Sequence, residues 1–160
     1  MKNEKVVFID MDGTVADIEF HTHPTDDYEE GFFLNKKPCK AIIDSINELF
    51  KDYHKIILSA SPSDEFDQEK LKWLDKYFPG FGSNDIVFIR WPNDNKVTML
   101  KKLCLQKNIN PKNAVLIDDN LNILRESNSS GITAFHPIHV LIMKEELENE
   151  YQRSNQGECS

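Results

Sequence analysis

The chain has 160 residues, enough for one domain with a hydrophobic core, and its apolar runs are too short to span a membrane. Its formal net charge of −8 argues against a long nucleic acid as a partner, because phosphate backbones attract basic surfaces. Three widely spaced cysteines predict neither a disulfide framework nor a zinc site, and the N-terminus has no signal-like apolar segment, so a cytoplasmic protein is the simplest expectation.

Five short apolar runs predict five strands. The first, Val6 to Ile9, is continuously apolar and rich in β-branched residues, which is typical of a strand buried on both faces. Similar runs follow at 55–58, 86–89, 114–117 and 132–135. Helical patterns lie between most of these runs, so the sequence predicts an α/β domain with a mostly parallel sheet.

Four helices are predicted from residues that share one helical face. The first stripe contains Ile42, Ile43, Ile46, Leu49 and Phe50, and the second contains Phe66, Lys70, Trp73, Leu74 and Tyr77 after an N-cap at Ser63. The third contains Val97, Leu100, Leu103 and Cys104, and a short fourth covers 121–127. Each stripe would pack its helix against the sheet.

Two segments interrupt this alternation. Residues 16–37 are polar, contain Pro24 and Gly31 and show no clean period, which indicates an insertion after the first strand. This insertion would form a small cap on a core domain that covers residues 1–138. Residues 139–160 begin as a possible helix and end in a polar stretch, which predicts a C-terminal helix with a flexible tail.

Polar or small residues follow the first four predicted strands. They are Asp10, Asp12, Gly13 and Thr14 after the first strand, Ser59, Ala60 and Ser61 after the second, Arg90 and Lys96 after the third, and Asp118 and Asp119 after the fourth. In an open parallel sheet, ligands bind beyond the carboxyl ends of the strands. The sequence therefore predicts that four carboxylates, small hydroxyls and a lysine converge on one edge of the sheet.

Clustered carboxylates repel one another unless a hard cation lies among them. Mg²⁺ prefers oxygen ligands, and one or two carboxylates plus a substrate phosphate often hold it. Phosphate monoesters hydrolyse extremely slowly unaided, and a covalent aspartyl-phosphate step is one way to divide that barrier. Such a step needs a carboxylate nucleophile, a proton donor for the leaving alcohol and cations on the phosphoryl oxygens. The cluster therefore fits Mg²⁺-dependent cleavage of a phosphate ester, since a local cation can override the acidic net charge.

The same residues resemble four motifs of the haloacid dehalogenase-like (HAD) superfamily of phosphotransferases. The motifs are "DMDGT" at 10–14, Ser59 at a strand end, Lys96, and "IDD" at 117–119. The resemblance covers roughly residues 4–137. It implies a Rossmann-like three-layer α/β/α fold with a parallel sheet, and Mg²⁺ as the cofactor.

Residue by residue, the resemblance implies that Asp10 is the nucleophile and that Asp12 protonates the leaving oxygen and then activates water. The metal would be bound by Asp10, by Asp12 through its main-chain carbonyl, and by Asp118, with Asp119 in support directly or through water. The phosphate would contact Ser59, Ser61, Lys96, Gly13 and Thr14.

Two of these assignments have alternatives. Ser59 is favoured as the hydroxyl of the second motif because it lies at the strand end, but another alignment of the motif gives that role to Ser61. Lys96 could instead be a solvated surface residue, which is the usual position of a lysine. Arg90 and Lys101 are its competitors for the phosphoryl charge.

A narrower resemblance lies in the insertion and the second strand. "GFFLNKKP" at 31–38 and "SASP" at 59–62 are similar to segments of the 5′(3′)-deoxyribonucleotidase family, although the helix after Lys96 is longer than in that family. The resemblance implies a nucleoside monophosphate as substrate, with Phe32 and Phe33 as contacts to the base. A purely structural role for these two side chains is an equal alternative. The alternative substrates are another small phosphate ester, such as a sugar phosphate, and a nucleic-acid end. The alternative to an enzyme is a protein that keeps the HAD fold for binding or regulation.

Overall fold

The described strands form one parallel sheet. A computed structural model describes residues 4–17, 30–90 and 93–156, with side chains as far as residue 153. The strands are β1 (Val6–Ile9), β2 (His54–Ser61), β3 (Ile86–Arg90), β4 (Ala114–Ile117) and β5 (Thr133–Phe135). They pair in the order β3-β2-β1-β4-β5, and each neighbouring pair is parallel. All of the predicted strands are present, and β2 continues beyond its predicted run as far as Ser61.

Helices connect and flank the strands in the described part of the chain. They are α1 (Lys40–Leu49), α2 (Asp64–Tyr77), α3 (Lys96–Gln106), α4 (Leu121–Ser129) and α5 (Pro137–Gln156). Ser63 precedes α2 as predicted, although its hydroxyl has no hydrogen-bond partner among the described residues. Asn95 and Asn120 cap α3 and α4, because their side chains accept hydrogen bonds from N–H groups in the first turn.

The C-terminal helix α5 is longer than predicted. It begins at Pro137 and runs to Gln156, so it takes in part of the stretch expected to form a flexible tail. Val140 is buried in the core, and Lys144 forms an ion pair of 3.3 Å with Glu48 of α1. The helix therefore packs on the core. Residues 157–160 lie outside the described residues, and none of the described helices is both long and apolar enough to cross a membrane.

Two apolar clusters enclose the sheet and define three layers. Along β1, Val7 and Ile9 belong to the cluster with α1, α2 and α5, whereas Val6 and Phe8 belong to the cluster with α3. Successive side chains of a strand point to opposite faces, so a continuous apolar run fills both clusters. Burying each such side chain contributes about 1.5–3 kcal/mol. This is the predicted Rossmann-like three-layer α/β/α fold.

The insertion after β1 leaves and re-enters the core at one place. Residues 18–29 lie outside the described residues, so the predicted cap is described only at its two ends. Ala16 forms an antiparallel bridge with Pro38, and the Asp17 N–H donates to the Lys37 carbonyl oxygen at 2.8 Å. These contacts close the insertion at its base, close to the carboxyl end of β1.

The winding of the sheet reverses between β1 and β4, and this positions the candidate site. The chain builds β1, β2 and β3 in one direction and then crosses to β4 on the other side of β1. Asp10 and Asp118 directly follow these two neighbouring strands, and the Asp10 N–H donates to the Ile117 carbonyl oxygen at 2.9 Å. Such switch points are where open α/β sheets bind their ligands.

Candidate active site

Three carboxylates meet at the carboxyl edge of the sheet. Asp10, Asp118 and Asp119 each place a carboxylate oxygen within 4.8 Å of the others. Asp10 is 5% exposed and Asp118 is fully buried, whereas Asp119 is partly exposed. Burial, together with the charges of Asp118 and Asp12, raises the pKa of Asp10 to about 6 against the opposing charge of Lys96. Burial and the charge of Asp10 also raise the pKa of Asp119.

Lys96 links two members of this cluster. Its Nζ donates to Asp10 Oδ1 and to Asp118 Oδ2, both at 2.7 Å. Burial alone would lower the pKa of Lys96, but the two carboxylates outweigh burial and raise it. The competitors lie elsewhere, because Arg90 pairs with two carboxylates in the first turn of α2 and Lys101 is exposed. Among Lys96, Arg90 and Lys101, it is therefore Lys96 that contacts the carboxylate cluster at the edge of the sheet.

The Asp12 side chain faces two other lysines. Its Oδ1 accepts from Lys36 Nζ at 2.8 Å, and its Oδ2 accepts from Lys70 Nζ. The Asp12 side chain is 28% exposed, whereas the two lysine side chains are buried. Burial alone would raise the pKa of Asp12, but the charges of Lys70 and Lys36 outweigh burial and lower that pKa. With its carboxylate engaged in this way, Asp12 would contact a metal through its main-chain carbonyl, as the resemblance implies.

Lys36 and Lys70 are absent from the site residues predicted from sequence. Lys70 is predicted as part of the apolar face of the second helix, and the side chain is indeed buried there, but as an ion-paired ammonium group. The sequence signal for such a role is a lysine within an apolar helical stripe. A lysine there is buried, and a buried ammonium group needs a hydrogen-bonded or charged partner. No periodicity identifies Lys36, because it belongs to the insertion.

The segment that carries Lys36 is fixed to α2. The Glu69 carboxylate accepts hydrogen bonds from the N–H groups of Gly31 (2.6 Å), Phe33 (2.9 Å) and Leu34 (3.4 Å). The Trp73 indole N–H donates to the Lys36 carbonyl oxygen at 2.8 Å. Glu69, Lys70 and Trp73 are close neighbours on α2, so this helix holds both lysines that contact Asp12.

The two predicted aromatic contacts to substrate differ in position. Phe33 is 6% exposed, and its ring packs edge-on against Phe66 with centroids 5.4 Å apart. Lys70 Nζ lies 4.4 Å from the Phe33 ring centroid, within cation–π range. Phe32 is partly exposed, and Lys36 Nζ lies 4.8 Å from its ring centroid. Phe33 is therefore buried, as its structural alternative implies, whereas Phe32 is partly exposed.

Ser59 and Ser61 are both fully buried but have different neighbours. Ser59 Oγ accepts from Lys70 Nζ at 3.0 Å, and the same ammonium group contacts Asp12. Ser61 Oγ donates to the Ser63 carbonyl oxygen at 3.3 Å, just before α2 begins. Ser59 therefore lies in the same hydrogen-bonded group as Asp12, whereas Ser61 bonds to the main chain before α2.

Gly13 and Thr14 form a tight turn against Asp119. Thr14 is 1% exposed, and its hydroxyl has no hydrogen-bond partner among the described residues. Gly13 has a φ of +77°, and a Cβ at this position would lie 2.3 Å from Asp119 Oδ2. Its N–H is bonded to the Ala16 carbonyl oxygen at 2.9 Å. Gly13 therefore contributes the space and the backbone conformation that the Asp119 carboxylate needs.

The chemistry of the donor set fits a magnesium ion. Mg²⁺ takes hard oxygen ligands, and it is usually bound through one or two carboxylates together with water and substrate phosphate. The carboxylates of Asp10, Asp12, Asp118 and Asp119 face the ammonium groups of Lys36, Lys70 and Lys96, which leaves an excess of negative charge. A divalent cation would make this balance positive, which favours binding of an anionic phosphate ester.

Solved structures with the same fold include HAD-like hydrolases. A haloacid dehalogenase-like family hydrolase from Xanthomonas campestris has a TM-score of 0.59 at 8% identity, over 85% of this chain and 83% of that one. The N-terminal part of a Bacteroides fragilis protein, containing a phosphatase domain complexed with Mg, has a TM-score of 0.55 at 18% identity over 84% of this chain. A chain of a Pnkp1/Rnl/Hen1 complex has a TM-score of 0.57 at 20% identity, also over 84% of this chain. The protein therefore has the fold of the HAD-like hydrolases.

These likenesses establish the fold alone, since all three are at low sequence identity. The chain spans 46% of the chain from the Pnkp1/Rnl/Hen1 complex and 36% of the Bacteroides fragilis chain. No protein-family model and no curated protein sequence matches it.

Proposed function

We propose that the protein belongs to the HAD superfamily and is a Mg²⁺-dependent phosphatase of small phosphate monoesters that acts through a phospho-Asp10 intermediate. The observation that carries the proposal is the arrangement around Asp10, where Lys96 bonds to both Asp10 and Asp118. Asp119 lies in the same carboxylate cluster. Phosphoryl transfer to an aspartate needs the nucleophile, a metal site and a fixed cation at one point, and these residues supply that combination.

The proposed reaction has two steps. In the first, an Asp10 carboxylate oxygen attacks phosphorus, and the bond from phosphorus to the ester oxygen breaks while Asp12 transfers a proton to that leaving oxygen. Because the pKa of Asp12 is lowered, Asp12 is ionised before the substrate binds. The substrate would therefore bind as the monoanion and supply the proton that Asp12 passes to the leaving oxygen. In the second step, Asp12 takes a proton from the water that attacks phosphorus, and the bond from phosphorus to the Asp10 oxygen breaks, so that inorganic phosphate leaves and Asp10 is regenerated. Asp12 then loses this proton to the departing phosphate or to solvent and is again ionised.

Fixed cations would stabilise the charge on the phosphoryl oxygens. The Lys96 ammonium group has three N–H donors, and among the described residues Asp10 and Asp118 use two of them. The third donor can reach a phosphoryl oxygen. Mg²⁺ held by Asp10, Asp118 and the Asp12 carbonyl, with Asp119 in support, would act as a Lewis acid on the same oxygens.

The proposed substrate is a nucleoside monophosphate, with deoxyribonucleotides preferred. This choice has two supports, the resemblance of 31–38 and 59–62 to the deoxyribonucleotidase family and the position of Phe32. The Phe32 ring is partly exposed on the segment that also carries Lys36, which contacts Asp12. A nucleobase could stack on this ring while its phosphate lies at Asp10.

A nucleic-acid end is the second candidate substrate. One of the structures with this fold comes from a complex described as the Pnkp1/Rnl/Hen1 RNA repair complex, with a TM-score of 0.54. The net charge of −8 speaks against this candidate, because binding of a polyanion requires basic surface. A sugar phosphate remains the third candidate.

Phosphate release from a substrate panel tests the proposal. The panel contains deoxynucleoside and nucleoside monophosphates, sugar phosphates and a 5′-phosphorylated oligonucleotide, each with Mg²⁺ and with chelator. Selective, Mg²⁺-dependent release from deoxynucleotides is the expected result. Release from only one of the other classes would move the substrate to that class while retaining the chemistry. No Mg²⁺-dependent release from any ester would contradict the phosphatase assignment and favour a binding or regulatory protein.

A further inference from the structure

We propose that Lys70 is a positioning residue that joins the Asp12 carboxylate and the Ser59 hydroxyl in one hydrogen-bonded unit and so holds Asp12 toward the leaving oxygen of the substrate. The inference rests on the proposed function, because it takes Asp12 as the group that transfers the proton. Lys70 acts on the reaction through Asp12, in contrast to Lys96, which faces the nucleophile directly.

The hydrogen bonds of Lys70 distinguish it from a lysine that binds phosphate. Its Nζ donates to Asp12 Oδ2, to Ser59 Oγ at 3.0 Å and to the Ala60 carbonyl oxygen. An ammonium group has three N–H donors, so the three acceptors use all of them. The side chain is also fully buried. Lys70 therefore has neither a spare donor nor open surface for a phosphoryl oxygen, whereas Lys96 uses two of its three donors on residues that the structure describes.

The second Asp12 oxygen is held from the insertion. Lys36 Nζ donates to Asp12 Oδ1 at 2.8 Å, and the main chain at Lys36 is fixed by the Trp73 indole of α2. The Asp12 carboxylate is thus held at both oxygens by ammonium groups that α2 positions, one directly and one through the insertion. A carboxylate fixed in this way keeps one orientation during proton transfer. Correct orientation of the reacting groups accounts for a large part of the rate enhancement of enzymes.

Two esters with different leaving groups test the inference. A nucleoside monophosphate releases an alkoxide that needs a proton, whereas 4-nitrophenyl phosphate releases a phenolate that is stable without one. We expect Lys70→Met to lower kcat/KM for the nucleotide at least about tenfold more than kcat/KM for the aryl ester, since a positioned proton donor contributes about 10²–10⁴-fold. The ratio kcat/KM is the quantity to compare, because it covers only the steps up to release of the leaving group and leaves out the hydrolysis of phospho-Asp10 that both esters share. Lys72→Met is the matched control, because Lys72 is exposed on the same helix and should affect neither ester.

The Asp12→Asn background distinguishes a role through Asp12 from a general one. In that background Lys70→Met should add no further difference between the two esters, because the proton carrier is already absent. Thermal melting of each variant shows whether it is folded. If Lys70→Met does not fold, Lys70→Gln, which keeps a hydrogen-bond donor, takes its place in the same comparison.

The possible outcomes separate this inference from the proposed function. Equal losses of kcat/KM for the two esters would overturn the inference while leaving the phosphatase in place, because Lys70 would then support the fold or the phosphate. A selective loss that persists in the Asp12→Asn background would overturn it as well. A wild-type protein that releases phosphate from neither of these esters nor from any other member of the substrate panel would overturn the proposed function and the inference together.

Discussion

Asp10 and Asp12 lie two positions apart in the chain but have different partners. Lys96 contacts Asp10 within the carboxylate cluster, whereas Lys36 and Lys70 contact Asp12. The pKa of Asp10 is raised to about 6, chiefly by burial, and that of Asp12 is lowered because the two lysines outweigh burial. The two aspartates therefore have different electrostatic environments although they lie close together in the sequence.

Gly13 offers a test of the turn at the scale of one residue. We expect Gly13→Ala to lower the free energy of unfolding by about 1–3 kcal/mol and to weaken Mg²⁺ binding, because the new Cβ would displace the Asp119 carboxylate from its position. Denaturant unfolding and a Mg²⁺ titration measure the two effects. Gly131→Ala is the matched control, since Gly131 has a similar φ of +79° and a Cβ added there would meet none of the described residues within 4 Å.

The control separates backbone strain from the contact with Asp119. Gly131→Ala should cost stability through its positive φ but leave Mg²⁺ affinity unchanged. Equal Mg²⁺ affinity in the Gly13→Ala and Gly131→Ala variants would show that the turn does not support the metal site.

At the scale of elements, the sequence predicts the strands and helices well. The strands are short continuous apolar runs, and the helices carry their apolar residues on one face. The β1 run is apolar at every position and β4 repeats that pattern, so two neighbouring buried strands and the acids that follow them can be placed together. The boundaries are less accurate. The strand β2 extends to Ser61 because its partner β3 continues to pair with it as far as Arg90, and periodicity in a single strand carries no information on its partner.

The lysines around Asp12 could not be predicted in the same way. Lys70 occupies a helical position that also suits an apolar side chain, and only the tertiary contact with Asp12 shows that it is an ion-paired group. Lys36 depends on the path of the insertion, which is fixed by main-chain hydrogen bonds to the Glu69 side chain. Such contacts between distant segments leave no periodic pattern.

The insertion element provides a test of substrate class. We expect Phe32→Ala to raise KM for a nucleoside monophosphate severalfold and to leave KM for 4-nitrophenyl phosphate nearly unchanged, because stacking on a base contributes about 1–3 kcal/mol. Steady-state kinetics on both esters measure the difference. Phe33→Ala should instead lower the melting temperature, because Phe33 is buried. An equal rise in KM for both esters in Phe32→Ala would show that Phe32 is structural.

His54 joins the amino ends of three strands and gives a pH-dependent contribution to stability. Its Nδ1 lies 3.0 Å from Glu4 Oε1, and its Nε2 lies 2.7 Å from Asp85 Oδ1. Burial alone would lower the pKa of His54, but the hydrogen bonds to Asp85 and Glu4 outweigh burial and raise it above the ordinary value of 6.5. The stabilisation is therefore fully present below that value and is lost as the pH rises through the higher folded pKa.

Melting temperatures of the wild-type protein and the His54→Gln variant test this contribution. We expect the difference between the two to be larger at about pH 5.5 than at about pH 8.5. The Asp85→Asn background should reduce the pH dependence, since one partner of the imidazolium is neutral there. A difference that is constant over this range would contradict the role of His54 as a charged link.

At the scale of the whole molecule, a net charge of −8 coexists with a site that contains three buried lysines. Lys36, Lys70 and Lys96 supply positive charge only where the carboxylates collect. Long-range attraction to a polyanion is therefore not expected, but a small anion can be bound locally once a divalent cation is present.

Magnesium binding should stabilise the whole fold. At a Mg²⁺ concentration of 100 times Kd, we expect a gain of about 2.7 kcal/mol in the free energy of unfolding, seen as a higher melting temperature. The gain should shrink as the pH falls through about 6, because protons then compete with the metal for Asp10. Asp118→Asn should remove most of it, whereas Asp17→Asn, at an exposed position, should not. No Mg²⁺-dependent shift in the wild-type protein would contradict the metal site.

The central claim is that Asp10 becomes covalently phosphorylated, and acid-quenched mass spectrometry tests it most directly. The protein is mixed with Mg²⁺ and a substrate that it turns over, quenched in acid within the first turnovers and digested. We expect the mass increment of one phosphoryl group on the peptide that contains Asp10, and its loss in Asp10→Asn and with chelator. In Asp12→Asn with 4-nitrophenyl phosphate the phosphorylated peptide should accumulate, because Asp12 activates the water that removes the phosphoryl group. Turnover without any phosphorylated peptide, or steady-state hydrolysis by Asp10→Asn near the wild-type rate, would contradict the account.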